Sequence, residues 1–360
     1  MRKQVRLILV LGLALALVGS APVPEDSASP KAKISLAAVG DIMMGNDFPC
    51  PELPPEDGKS LFEEAKAIFT QADIAFGNLE GVLGAGGCPA KDVDSSNVYV
   101  FRTPPRFAAN LHEAGLKVVS VANNHAMDFG YTGKLSTKRA LDDAGIKYSG
   151  QDGEVAEFDL KGVQLGVIAL AFGPPPRSII HPKSALREIE ALAKKYDILV
   201  VSVHWGKEGR SAQHTADKNE YFLGEDRGNL VRFAHEAIDR GADLILGHGP
   251  HVPRAMEIYQ GKLIAYSLGN FCTYKGMNLV DERGYAPLLW VEMNEKGDFV
   301  EGRVHSFIQP RPGGPQKDDH GMAFNRIKTL SLEDFPESCP LFVAPDKILP
   351  SQSQDKPHDQ

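Results

Sequence analysis

The chain has 360 residues, with 39 Lys+Arg against 47 Asp+Glu and a formal net charge of −8. That balance argues against a general nucleic-acid binder, which presents a clearly basic face to phosphates. With 42% hydrophobic and 24% charged residues, and Gly and Pro scattered without period, collagen-like, coiled-coil and disordered chains are excluded, leaving one large α/β domain or two ordinary ones.

Arg2, Lys3 and Arg6 form a basic head, residues 7–18 an apolar run, and Gly19, Ser20 and Ala21 a small-residue stretch. This is the layout of a secretory signal peptide over 1–20, cleaved near Ser20 or Ala21. The apolar run is short for a membrane anchor, which needs about 20 residues. No Cys stands at the junction to carry a lipid. Removing the peptide takes three positive charges and no negative ones, leaving about −11. The expected location is periplasmic or extracellular, with 21–33 as a linker. In that oxidising setting a Cys50–Cys88 disulfide and free thiols both remain open. No CxxC pair occurs, which excludes a zinc ribbon.

Beyond the linker, short apolar runs alternate with amphipathic ones. Strands are expected at 34–39, 74–78, 118–122, 163–170, 198–203, 244–246, 263–267 and 288–293. Helices are expected at 61–69, 104–114, 134–144, 185–196 and 228–240, with Gly145 and Gly241 as the stops after 144 and 240. Continuous apolar strands imply sheets buried on both faces with helices outside. One domain spans 34–308. An irregular C-terminal extension follows over 309–348, then a disordered tail over 349–360.

Polar residues recur at the ends of these strands: Asp41, Asn78 with Glu80, Asn123-Asn124-His125 with Asp128, His204, and His248 with His251. In open α/β sheets, ligands bind outside the carboxyl ends of strands, so these endings can converge on one pocket. Each is weak alone, since an Asp after a strand is often a helix cap. Jointly they match a mixed nitrogen and oxygen site for one or two divalent metal ions, with Mn, Fe and Zn all open. Trp205 either lines the pocket or packs. Arg102, with Lys207, Glu208 and Arg210, either flanks the pocket to hold an anionic substrate or forms a solvated face.

The segments VGDIMMGND, FGNLEGVL, VSVANNHAMDFG, VSVHWG and LILGHGPHVPRAMEIYQGKLIAYSLGNF together resemble the bacterial CapA family. That family is associated with capsule synthesis, notably of poly-γ-glutamate, and is related to calcineurin-like metallophosphatases. The resemblance covers about 33–307. It implies an α/β fold, a four-layer α/β/β/α sandwich of metallophosphatase type, with a two-metal site at one end. Carried over residue by residue, it makes Asp41 the opening aspartate ligand and gives the bridging place to Asn78 or Glu80. Asn124 becomes the carboxamide ligand, and His125 its partner that contacts phosphate and protonates a leaving group. His204 matches the isolated histidine ligand, and His248 with His251 the closing pair. Asp128 either orients His125 or caps the following turn. The sequence departs from the pattern at Met43, where a histidine is usual, and in the His-x-x-His spacing of the closing pair.

The implied function is that of an exported CapA-like protein of capsule or exopolymer biosynthesis, hydrolysing a phosphoester or related anionic envelope substrate. The alternative is a non-catalytic scaffold or polymer-binding accessory. Expected partners are that substrate or the capsule polymer, and capsule-assembly membrane proteins, with no nucleic acid. Nucleotide-driven ligation is disfavoured because no phosphate-binding Gly-x-x-x-x-Gly-Lys-Ser/Thr loop is present.

Overall fold

The computed structural model describes residues 32–351 apart from 152 and 175. The expected signal peptide at 1–20, nearly all of the expected linker, and residues from 352 onward lie outside the described residues. Two main sheets are built, in chain order, from β1 (Ile34–Met43), β2 (Ile74–Leu79), β3 (Val118–Ser120), β4 (Lys147–Ser149), β5 (Ala156–Leu160), β6 (Val163–Ala171), β7 (Ile198–His204) and β8 (Leu244–His248). They continue with β9 (Met256–Tyr259), β10 (Lys262–Ala265), β11 (Asn270–Thr273), β12 (Tyr285–Met293), β13 (Phe299–Ile308), β14 (Gln316–Lys317), β15 (Leu341–Val343) and β16 (Lys347–Leu349).

The ten-stranded sheet runs β15-β16-β13-β12-β1-β2-β3-β4, with β11 beside β1 and β14 beside β13. The six-stranded sheet runs β9-β10-β8-β7-β6-β5. Parallel neighbours need crossovers, and helices supply them: α1 (Glu63–Gln71), α2 (Ala108–Ala114) and α3 (Gly130–Asp143) in the first sheet, α4 (Lys183–Leu192) and α5 (Leu230–Asp239) in the second. In α5, Asn229 caps the start by accepting from the Arg232 N–H at 3.0 Å. Leu230, Phe233, Ala234, Ala237 and Ile238 make its buried stripe, the spacing of one helix face.

The period-two alternation of β1 assigns its two faces. Ala37, Val39 and Ile42 pack with Ala65 and Phe69 of α1, Leu111 of α2 and Leu141 of α3. Leu36 and Ala38 point the other way, meeting Leu165, Val167, Val200, Leu244 and Leu246 of the second sheet. Leu199, Val201 and Ile245 on the far face of that sheet pack with Leu186, Ile189, Leu230 and Ala234. Four layers, α/β/β/α, follow from these three apolar clusters, as the sequence leads one to expect. Each fully buried Leu, Ile or Phe in them contributes about 1.5–3 kcal/mol.

Residues 309–348 differ from the irregular extension expected of them. They form α6 (Met322–Asp334) and three short strands of the first sheet. Phe324 and Ile327 of α6, with Ile348 of β16, enter the apolar layer between the sheets, while Leu330 joins the outer cluster around α4 and α5. The Pro/Gly-rich lead at 310–315 masks this amphipathic helix in the sequence. All four cysteines are free thiols, Cys50 and Cys88 among them.

Register places the polar strand ends side by side. Asp41 of β1 is paired with Asn78 of β2 and with Asn270 of β11, and His204 of β7 with His248 of β8. A shift in the β1 pairing on either side of Asp41 bends the strand there, as bulges do next to sites.

Candidate metal centre

Asp41 is wholly buried, and the backbone that carries it is pressed against a neighbouring turn. Its N–H donates to Gly269 O at 2.9 Å. A Cβ on Gly40 would lie 1.9 Å from that same oxygen, so only glycine permits this approach. Asp41 Oδ1 accepts from Asn78 Nδ2 at 2.8 Å, and Oδ2 lies 3.0 Å from His251 Nδ1. His248 Nδ1 stands 3.8 Å from Asp41 Oδ1, and His204 Nδ1 is 3.5 Å from Asn78 Nδ2. Gly249, at φ 107°, fits between the two histidine strands, where a Cβ would meet Trp205 O at 2.7 Å. Trp205 itself is packing: it is wholly buried and its Nε1 donates to Tyr266 O at 2.8 Å.

Glu80, one residue past β2, is almost wholly buried. Its Oε1 lies 3.7 Å from His251 Nε2 and 3.9 Å from His125 Nε2. Ligand atoms of Asp41, Glu80 and His251 all fall within 4.8 Å of one another. His251 holds a left-handed backbone at φ 57°, a conformation that disfavours side chains by about 1–2 kcal/mol. Asn270 steadies it, with Oδ1 at 3.0 Å from His251 Nδ1 and Nδ2 donating to His251 O at 3.2 Å.

On the other side, Asn123 Nδ2 donates to Leu79 O at 2.9 Å and to Asn78 Oδ1 at 3.3 Å, and its Oδ1 accepts from the His125 N–H at 3.1 Å. His125 Nδ1 is 2.7 Å from Asp128 Oδ2, so of the two readings of Asp128 the geometry matches the one in which it orients the imidazole. Asp128 is in turn held by the Phe101 N–H at 2.7 Å and by Lys91 Nζ at 2.6 Å. Phe101 lies against the imidazole, ring centroids 4.3 Å apart.

Several buried polar atoms in this cluster have no partner: both oxygens of Glu80, Asn124 Oδ1, His204 Nε2, and both ring nitrogens of His248. Each such atom costs about 1–3 kcal/mol if its bond is left unmade. Asn78 is different, because both ends of its amide are engaged. Asn78 is thus committed to Asp41 and Asn123, whereas both Glu80 oxygens lack hydrogen-bond partners. Asn124 Oδ1 supplies an amide oxygen at the same end of the sandwich.

Electrostatics follow from burial and crowding. Burial works against the Asp41 charge, yet the hydrogen bond and charge of His251, with His248 and His204, bring its carboxyl down to about 2. Glu80 is pushed well above the usual carboxylate range, first by burial and then by Asp41, with His251 opposing. His251 is raised well above an ordinary histidine, burial being outweighed by Glu80, Asp41 and Glu208. Burial holds His248 down to about 4 despite Asp41, and holds His204 well below its ordinary value. His125 is also lowered by burial, Asp128 opposing. Neutral imidazoles beside carboxylates and a carboxamide are the donor set that Zn, Mn or Fe accepts.

Arg102 is not part of this cluster. Its Nε is 2.6 Å from Asp47 Oδ1 and its guanidinium lies 4.7 Å from the Phe129 ring centroid; it is absent from the lining of the cleft above the cluster. A nearby carboxylate and aromatic hold this cation. Arg210 is likewise paired, with Asp281 and Glu282 at 3.1 Å each, whereas Glu208 does line the cleft and sits 3.8 Å from His251 Nε2. Asn270 and Lys91 are not marked by the strand-end pattern, and Asn123 enters it only as a neighbour of His125. The Asn-Asn-His run and the closing GNF segment carry a signal for the two asparagines, and nothing in the sequence marks Lys91.

Comparison with known proteins gives a match to the family model described as bacterial capsule synthesis protein PGA_cap over residues 35–275. The PGA biosynthesis protein CapA of Bacillus subtilis (strain 168) is 29% identical over 288 residues, 75% of this chain and 71% of the relative. The capsule biosynthesis protein CapA of Bacillus anthracis is 27% identical over 323 residues, 84% and 74% of the two chains. Among solved structures, a 5'-nucleotidase precursor from Thermus thermophilus superposes with a TM-score of 0.40 at 14% identity, covering 83% of this chain and 58% of that one.

Proposed function

The chain belongs to the bacterial capsule synthesis protein family PGA_cap, and on that premise we propose that it is an exported, metal-dependent phosphoester hydrolase serving capsule-polymer assembly. The observation that carries this reading is the group of buried, unpartnered polar atoms on Glu80, Asn124, His204 and His248, joined to the Asp41–Glu80–His251 cluster. Asp41, Glu80, Asn124, His204, His248 and His251 would hold the ion or ions. A divalent cation supplies there Lewis acidity toward a phosphoryl oxygen and toward water. The remaining chemistry belongs to the chain. Asp128 fixes His125 Nδ1 as a donor, which leaves Nε2 as the nitrogen that carries or yields a proton toward the cleft. Phe101 excludes water from one face of that ring, and Asn78 and Asn270 hold Asp41 and His251 in place.

Export is supported by the basic head, apolar run and small residues of 1–21. No helix among the described residues is long and apolar enough to cross a membrane. Turnover of 4-nitrophenyl phosphate or bis(4-nitrophenyl) phosphate by protein supplied with Mn, Fe or Zn tests the activity. Loss of that turnover in His204→Ala and His248→Ala, with folding retained, is the expected result. Inertness of the wild-type protein toward both esters with all three metals would favour the scaffold reading instead.

A further inference from the structure

The cleft above the metal centre has two lobes that share Tyr99, His125, Glu208 and Phe222. One lobe, about 390 Å³, extends past Phe101 to Met277, Asn278 and Arg283. The other, about 800 Å³, extends to Lys91, Ser96, Asn97 and Arg227. The waist between them is where His125 stands, the residue whose Nε2 faces Glu80. A reacting bond placed at that waist thus has room for a substituent on each side. A terminal phosphate would leave one lobe without contents.

Charge at the waist points the same way. Glu208 lines it, and the cations beside it are already paired: Arg227 with Glu208 and Glu225 at 3.0 Å each, Lys91 with Asp128 at 2.6 Å. A dianionic monoester would meet this acidic rim with little compensation from the chain, whereas a diester brings a single charge. Arg283, by contrast, forms no ion pair among the described residues. Its Nε donates only to a backbone carbonyl, Val280 O at 3.2 Å, so a cation free of ion pairs lines the first lobe.

We infer that the substrate is a phosphodiester that continues into both lobes, with an anionic group of the continuing chain near Arg283, and not a terminal phosphomonoester. This rests on the hydrolase reading given above. Hydrolysis of such a diester forms a P–O bond from water and breaks one ester P–O bond. The two water protons end on the departing alcohol and on the new phosphate monoester, and no electrons are transferred.

The test compares bis(4-nitrophenyl) phosphate with 4-nitrophenyl phosphate on the full, metal-supplied protein, and repeats the comparison with each lobe plugged by Met277→Trp or Asn97→Trp. The diester is expected to exceed the monoester in kcat/KM by about tenfold or more, and each plug to lower the diester rate by about tenfold. The monoester rate should fall with at most one plug. Metal content and thermal unfolding of the plugged variants accompany the rates, and Asn278→Tyr or Ser96→Tyr replaces a plug that fails to fold. A monoester preference, or a diester rate that neither plug alters, overturns this inference alone. Inertness toward both esters overturns the hydrolase reading and this inference with it.

Discussion

The protein buries charged groups in two kinds of setting. At the outer face of the second sheet, Glu257 accepts from His235 Nε2 at 3.0 Å, Tyr266 Oη at 2.7 Å and Ser338 Oγ at 2.9 Å. Arg177, wholly buried, gives Nε and Nη2 to Glu188 at 3.0 and 2.7 Å. Its Nη1 donates to Ser149 Oγ, Gly150 O and Glu154 O within 2.9 Å. The donors and acceptors of these two side chains are answered by the chain. At the strand ends, Glu80, Asn124, His204 and His248 leave buried polar atoms unanswered. Burial of charge therefore does not distinguish a site from a strut. Missing partners gathered on several ligand-type side chains do, because a folded chain pays for them unless something else completes the bonds; a lone unpartnered atom does not, since Arg254 Nε and Gln309 Nε2 also lack partners outside the site.

Removing a strut should hurt most. Arg177→Ala strands Glu188 and three further acceptors, and denaturant unfolding should register a loss of about 3–5 kcal/mol, independent of metal. A variant as stable as the wild type would erase the contrast. Next in size is the response to metal. At about 100-fold excess over its dissociation constant, the bound ion should stabilise the protein by about 2.7 kcal/mol. His204→Ala and Glu80→Gln should abolish most of that gain while unfolding no sooner than wild type when metal-free. Melting curves with and without Mn or Zn separate these outcomes.

Smaller is Glu257→Gln, expected to cost about 1–3 kcal/mol by weakening bonds to a buried carboxylate. It also has a pH signature. Burial opposes the Glu257 charge, but His235, Tyr266 and Ser338 outweigh it and hold the carboxyl below its ordinary 4.5. The unfolded chain then binds more protons than the folded one near and below that ordinary value, so this contribution is complete above it and lost as pH falls through the lowered one. The acid limb of the stability curve should be shallower in Glu257→Gln, and identical limbs would refute the assignment.

The strand-end pattern was legible because parallel strands deliver their last residues to one edge. Asp41, Asn78, His204 and His248 follow from that rule, and register then joins them into pairs. What the pattern could not give was competition between partners. Arg102 has the right charge near the right loop, but Asp47 is closer. Asn78 and Glu80 are near neighbours in the chain, and only the bonds of Asn78 to Asp41 and Asn123 separate their roles. Lys91 reaches Asp128 from a loop far upstream in sequence, with no local signal of the contact. In the C-terminal region the same limit applied to packing. Helix α6 has its apolar residues at 323, 324, 327 and 330, a recognisable stripe once the Pro/Gly lead before it is set aside.

Elemental analysis of the protein purified without chelator tests the central claim most directly, with His248→Ala alongside. The account predicts about one or two ions of Mn, Fe or Zn per wild-type chain and markedly fewer in the variant. A wild-type chain that carries no metal, and takes up none when all three are supplied, would contradict it.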